Sequence, residues 1–273
     1  MEQALRFYFV FEGLECERKY SNILCAIDEQ ILSRADEINA HFNELFKQNA
    51  NSANALLIKL ARNQRGVFSL SKSTHNAKAA LNMLLAKGII NLEKSPQIPP
   101  VRIKGEKLKK HIRRYKIQDK VHFAKGFYHF WFSFCAKSLD RLKSGAKDEI
   151  LEFIAQNLER FYSHSFELAC TKLIAQTFNI QKCEVTSYWQ KGVEIDIYAL
   201  AQNKLIVGEV KYKEHKVCKS LLSKLQAKCE LCGLNPDYYA LFSLNGFSSE
   251  LTMHAKITPN VLLFSLNDFK AFL

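Results

Sequence analysis

The chain has no glycine-rich phosphate loop: none of its ten glycines is followed by lysine, which argues against nucleotide hydrolysis by this chain. Proline is scarce. Only five occur in 273 residues, three of them within SPQIPP, Ser95 to Pro100, so one extended wing or linker is expected there. Long apolar runs are also missing. The longest, around Phe127 to Ala136, is too short and too polar for the ~20 residues of a membrane-spanning helix. The opening MEQALRFYFVFEGLE lacks a basic region, an apolar core and a cleavage site in that order. A cytoplasmic protein with no membrane partner is therefore expected. Acidic residues are in deficit, 27 against 39 Lys and Arg for a net charge of +12, and the pI is near 9.2. That balance points to a polyanionic partner, nucleic acid first, although charge alone does not separate nucleic acid from an acidic protein or a membrane surface.

What is present is enough for a core. Apolar residues make up 48% of the chain, which suits one large domain or two modest ones. Eight cysteines without a signal peptide read as reduced thiols. His215, Cys218, Cys229 and Cys232 have zinc-like HxxC and CxxC spacing. However, Cys218, Leu221, Leu222, Leu225, Cys229 and Cys232 also form one helical stripe, and the stripe favours core packing over zinc.

The most informative stretch is Lys191 to Glu214, KGVEIDIYALAQNKLIVGEVKYKE. Val193, Ile195 and Ile197 alternate with Glu194, Asp196 and Tyr198, and Leu205 to Tyr212 is a second apolar run ending on Glu209 and Lys211, so the stretch predicts a β-hairpin. Side chains repeat every two residues along a strand, so Glu209 and Lys211 share a face. Pairing of the two strands then brings Asp196, Glu209 and Lys211 into one patch if their register allows it, on strands apolar enough to be internal. Burying such charges costs several kcal/mol unless something compensates. A divalent cation, Mg²⁺ or Mn²⁺, held by the two carboxylates is one compensation, with Lys211 orienting water and offsetting phosphate charge. A surface hairpin with an ordinary ion pair would show the same spacing.

The order Asp196, turn, Glu209-x-Lys211 resembles the signature of the PD-(D/E)XK nuclease superfamily. More narrowly, VEIDIYAL, IVGEVKYK and YYALFSLNGFSSEL resemble the C-terminal domain of archaeal-type ATPases, as does RYKIQDKVHFAKGFYHFWFSFCAK at Arg114 to Lys137. The resemblance covers roughly the last 160 residues. It implies an α/β restriction-endonuclease-like core in the order α-β-β-β-α-β, a mixed sheet flanked by helices, over residues 113–273. The elements expected there are helices from Lys147 with a break near Ser163, strands near Cys183–Tyr188, Val193–Ala199 and Leu205–Tyr212, the cysteine-bearing helix, and a strand at Tyr238–Ser243. The same fold places an acidic residue on its first helix beside the metal. Glu167 occupies the matching position, so Asp196, Glu209 and Glu167 are the candidate metal ligands and Lys211 the fourth catalytic residue; whether Glu167 or Glu194 completes the set stays open. Without a phosphate loop, the chain resembles the nuclease-like half of such an ATPase, and a separate ATPase is a possible partner.

Residues 1–112 are expected to be mainly helical. Leu5 to Phe11 reads as a strand or buried helix, and Glu12, Glu15 and Glu17 after it as solvated loop charge. FVFEGLECERKY sits where the archaeal-type ATPases carry a lid motif of phenylalanine, two glycines, proline and tyrosine, but Glu12 and Glu15 depart from it. Ser52–Arg62, Gly66, Lys72–Lys87 and IINLEK predict helix, turn, helix and wing, with Ser73 or Thr74 capping the second helix and Gly88 ending it. Its apolar stripe is Ala77, Ala80, Leu81, Leu84 and Leu85; the opposite face carries His75, Asn76, Lys78 and Lys87. This is the layout of a winged helix-turn-helix, and a plain three-helix packing module would give the same stripe. The densest basic run, KGEKLKKHIRRYK, follows. Lys107, Lys109, Lys110, Arg113, Arg114 and Lys116, with Lys78, are the candidate contacts to duplex or branched DNA. The aromatics from Phe127 to Phe134 are too dense to be mainly a stacking surface and are expected in the core.

Overall fold

The computed structural model describes residues 1–16, 18–97, 117–190, 192–212 and 215–272. It is a mixed α/β chain dividing into two compact units, one built from Glu2–Glu93 with Asp119–Ser165, the other centred on Phe166–Leu273. The boundary expected between 112 and 113 lies outside the described residues. Among the described residues, no helix is long and apolar enough to cross a membrane.

The first unit is mainly helical: α1 (Glu2–Phe11), α2 (Ile23–Ile27), α3 (Ala35–Phe46), α4 (Ala50–Ala61), α5 (Val67–Leu70) and α6 (Ala77–Ala86), followed by strand β1 (Ile90–Glu93). Strand β2 (Lys120–Phe123) pairs antiparallel with β1, and Gly66 bridges to Lys120. Leu5 to Phe11 is thus helix, with Leu5, Phe9, Val10 and Phe11 buried. Glu12 is not solvated loop charge. Its carboxylate accepts from Tyr8 Oη at 2.9 Å and from the Gly126 N–H at 3.1 Å, so it holds the start of α7 (Gly126–Phe130) as an N-terminal acid should. Helix α6 begins five residues later than expected, after Asn76 at φ +56°, with no side-chain cap from Ser73 or Thr74. Its stripe of Ala77, Ala80, Leu81 and Leu84 is buried, and Gly88 ends the turn at φ +65°, a conformation that favours glycine. The dense aromatic segment is core. Phe127, Phe130, Trp131, Phe132 and Phe134 are all buried, and the helix widens to a π-turn over Trp131–Cys135. After α8 (Leu139–Lys143) comes α9, Lys147–Thr177, a single 31-residue helix without the expected break near Ser163. Phe161, Tyr162 and Phe166 are buried around that point, and their packing outweighs the weak helix preference of serine.

The second unit contains a five-stranded sheet in the order β3 (Val185–Gln190), β4 (Val193–Ala201), β5 (Lys204–Lys211), β6 (Tyr238–Ser243), β7 (Val261–Ser265). The first three strands are antiparallel neighbours; β5–β6 and β6–β7 are parallel. Each parallel step needs a crossover, supplied by α10 (Lys219–Cys232) and α11 (Ser249–Ile257). Ile195, Val207 and Leu241 from the sheet pack with Leu222, Leu225 and Cys229 of α10 in one buried cluster. The cysteine stripe is therefore core at Cys229, while Cys218 is exposed and stands before the first residue of α10.

Candidate functional site

The hairpin of β4 and β5 carries the site. Their ladder runs from Ala201↔Lys204 to Ile197↔Gly208, and one step further stand Asp196 and Glu209. There the backbone pairing is replaced by a side chain: the Val210 N–H donates to Asp196 Oδ2 at 2.8 Å. The cause lies on the other side of β4. Between the pairs Thr186↔Tyr198 and Tyr188↔Ile195 the register shifts, so Ser187 alone opposes both Asp196 and Ile197. A β-bulge of this kind turns the strand and re-aims a side chain. Consistent with it, Ile195 and Tyr198, three apart, pack against the same cluster.

Glu209 is buried at 3% exposure and is held by two ammonium groups. Lys211, two residues on, donates to Oε2 at 3.0 Å, and Lys228 of α10 donates to Oε1. Both lysines keep about a third of their side chains in solvent, 31% and 32%. Lys228 is the residue that sequence reading missed. Its spacing from Leu225 places it beside the buried stripe of α10, but only the packing of α10 on the sheet brings it to Glu209.

Electrostatics tie the cluster together. Burial, then the Glu209 carboxylate, pushes the Asp196 carboxyl up to about 7; the Val210 N–H and Lys211 oppose this, and Glu167 adds to it. Burial disfavours charge on Lys211, but Glu209, Asp196 and Glu167 outweigh it and hold the ammonium above its ordinary value. Glu167, half-buried on α9, thus acts on both Asp196 and Lys211. Glu194 is exposed, opposite Trp189.

The donor set fits a hard cation only as a pair. Among the described residues, no group of three or more His, Cys, Asp and Glu is placed to hold a metal ion. Mg²⁺ takes one or two carboxylates and keeps several waters, and a carboxyl raised by a neighbouring carboxylate is the kind of group a cation relieves. Asp196 is such a carboxyl, and Glu209 is the second carboxylate of the pair.

Of the expected nucleic-acid contacts, Lys78 is exposed on α6. Lys107, Lys109, Lys110, Arg113, Arg114 and Lys116 lie outside the described residues. They fall in the connection between β1 and β2.

Residues 131–225 match the family model DUF234, described as archaeal and bacterial proteins of unknown function. That stretch includes Glu167, Asp196, Glu209 and Lys211 and stops before Lys228. No curated protein matches the chain. Among solved structures, protein VC1899 from Vibrio cholerae is similar at 14% identity and a TM-score of 0.28 over 93% of this chain. The chain spans 55% of that structure's length.

Proposed function

We propose that the chain is a Mg²⁺-dependent, DNA-directed phosphodiesterase of the PD-(D/E)XK type joined to a winged-helix-like region. The observation that carries this reading is the convergence of Asp196, Glu209 and Lys211 at the bulged end of the β4–β5 ladder, with Glu167 acting on the same groups. Asp196 and Glu209 would hold the cation and Glu167 would support it. The cation, Mg²⁺ or Mn²⁺, would polarise a phosphoryl oxygen and acidify a bound water. Lys211 orients the attacking water and offsets charge on the phosphate as it expands. The helical part supplies grip: α4, α5, α6, β1 and β2 follow one another as in a winged helix-turn-helix, whose second helix enters a groove and whose wing touches phosphates.

A second reading has its own support. Glu209 is already neutralised from both sides by Lys211 and Lys228, as in an idle site retained within a DNA-binding module or a partner of a separate ATPase. One paired measurement separates the two, metal-dependent melting and nicking of supercoiled or branched DNA. The enzyme reading expects Mg²⁺ or Mn²⁺ to raise the melting temperature and to support nicking. Asp196→Asn should lose both, whereas Lys211→Ala should keep the thermal shift and lose nicking. A shift without cleavage on any substrate selects the idle site, and no shift in any variant rejects the metal centre.

A further inference from the structure

The helical unit contains a cavity of about 350 Å³, at the small end of the ~300–1,000 Å³ range of ligand sites. Three segments line it. The end of α4 contributes Arg62 and Asn63, the α7 segment contributes His129 and Phe134, and α9 contributes Phe153 and Arg160. No acidic side chain is among the described residues lining it.

Its charge is built in by local structure. Helix α4 ends with the Gln64 N–H on Lys59 O at 3.1 Å and the Asn63 N–H on Leu60 O at 2.9 Å, with Asn63 at φ +64°. This double closure fixes the chain at the rim and presents Arg62 and Asn63 together. Partial burial, then the neighbouring Arg62, holds the Lys137 ammonium below its ordinary value, so a further cation stands near Arg62. On α9, the glutamate next to Arg160 is not free to neutralise it, because Glu159 pairs with Arg6 at 2.9 Å.

Aromatic side chains also line the cavity. Phe134 meets Phe153 edge-on at 6.2 Å and Phe161 at 5.8 Å, and His129 stacks on Phe161 at 4.7 Å. Burial, then His164 and Arg65, keeps His129 well below its ordinary pKa, so its ring is neutral and extends the stacking surface. Phe153 is the exception to the buried seam of α9. Its helical spacing from Ile150 and Ile154 predicts burial, yet it is 51% exposed and lines the cavity. An exposed phenylalanine lining a cavity together with Arg62 and Arg160 presents a ring face to a ligand.

We propose that this cavity binds a nucleoside monophosphate, with the base against Phe134, Phe153 and Phe161 and the phosphate on Arg62 and Arg160. Arginine's planar fork suits phosphate oxygens, and bases of any sequence stack on aromatic rings. A free nucleotide and the phosphorylated end of a DNA strand present the same chemistry. The proposal does not depend on the metal-site reading, since the cavity residues all belong to the helical unit.

Calorimetric titration of the full chain with adenosine 5′-monophosphate, adenosine and inorganic phosphate tests it. The nucleotide should bind at least about tenfold more tightly than either fragment. Arg160→Gln and Phe153→Ala alter exposed side chains and leave the fold intact by circular dichroism; each should weaken the nucleotide by about tenfold. Competition by a 5′-phosphorylated oligonucleotide, but not by its unphosphorylated twin, assigns the strand end as the source. Competition by neither assigns the free nucleotide. Equal binding of phosphate and nucleotide, nucleotide binding unchanged in both variants, or no nucleotide binding at millimolar concentration overturns the proposal.

Discussion

At Asp196 a single carboxyl couples fold, pH and ligand. Its value of about 7, against 3.8 for an ordinary aspartate, means that the folded protein holds a proton the unfolded chain has released. Stability from this group is therefore complete below pH 4 and falls as pH rises toward 7, because only the unfolded state loses its proton in that window. The expected loss is on the order of a few kcal/mol. Denaturant melts from pH 4 to 8 should show that slope in the wild type and a flatter one in Asp196→Asn, and saturating Mg²⁺ should flatten the wild-type curve. Equal slopes in the two proteins would mean that Asp196 is solvated. Lys228 gives the second residue-scale prediction. With Lys228→Ala, Glu209 keeps Lys211 but loses a neutralising neighbour, so the metal-free protein should lose roughly 1 to 3 kcal/mol while Mg²⁺ binds several-fold more tightly. If calorimetry shows unchanged or weaker metal binding, the lysine pair does not compete with a cation. These residues differed in legibility for a physical reason. Asp196, Glu209 and Lys211 lie within sixteen residues of one hairpin, where the two-residue period gives Glu209 and Lys211 one face and the pairing of adjacent strands brings Asp196 near them. Lys228 reaches Glu209 only through the crossover that lays α10 on the sheet, and nothing local in sequence encodes that approach.

At the scale of elements, β4, β5 and β6 were legible, whereas β7 and the bulge were not. Alternation in β4 and the short apolar runs of β5 and β6 located these strands to within a residue or two at their ends. The register shift opposite Ser187 is a tertiary compromise, and with it went the assumption that Ile197 shares a face with Val193 and Ile195. The uninterrupted α9 is a similar case, local serine preference yielding to the burial of Phe161, Tyr162 and Phe166. Gly208 shows how tightly the site strand is held. A Cβ there would lie 2.7 Å from Ala240 O and 3.1 Å from Ile197 Cβ, so β5 cannot carry a side chain at this point without moving away from β6 or β4. Gly208→Ala should thus cost about 2 to 3 kcal/mol. It should also weaken metal binding more than a distant substitution of equal cost, since the displaced residue is next to Glu209. A melting temperature within a degree of wild type would show that the strands can part cheaply.

Charge is the property that belongs to the whole molecule. A net +12 does not say where an anion sits, but topology narrows the question: the connection from β1 to β2 runs from Lys94 to Asp119 between two antiparallel strands, and the densest basic run of the chain falls within it. On the winged-helix reading the run follows the wing in sequence, and exposed Lys78 is on the helix that would face a groove. Each neutralised phosphate releases counterions, so log K for duplex DNA should fall linearly with log salt, at a slope of about 0.9 per contact. Replacing Lys109, Lys110, Arg113 and Arg114 together by alanine should reduce the slope by roughly three to four units, and Lys78→Ala by about one. Neither change should alter the Mg²⁺-dependent melting shift, because neither residue set belongs to the proposed metal site. Fluorescence anisotropy on a labelled duplex across a salt series measures the slopes. A salt-independent affinity, or slopes unchanged by both substitutions, would mean that the basic excess is solvated surface and that any DNA contact is made elsewhere.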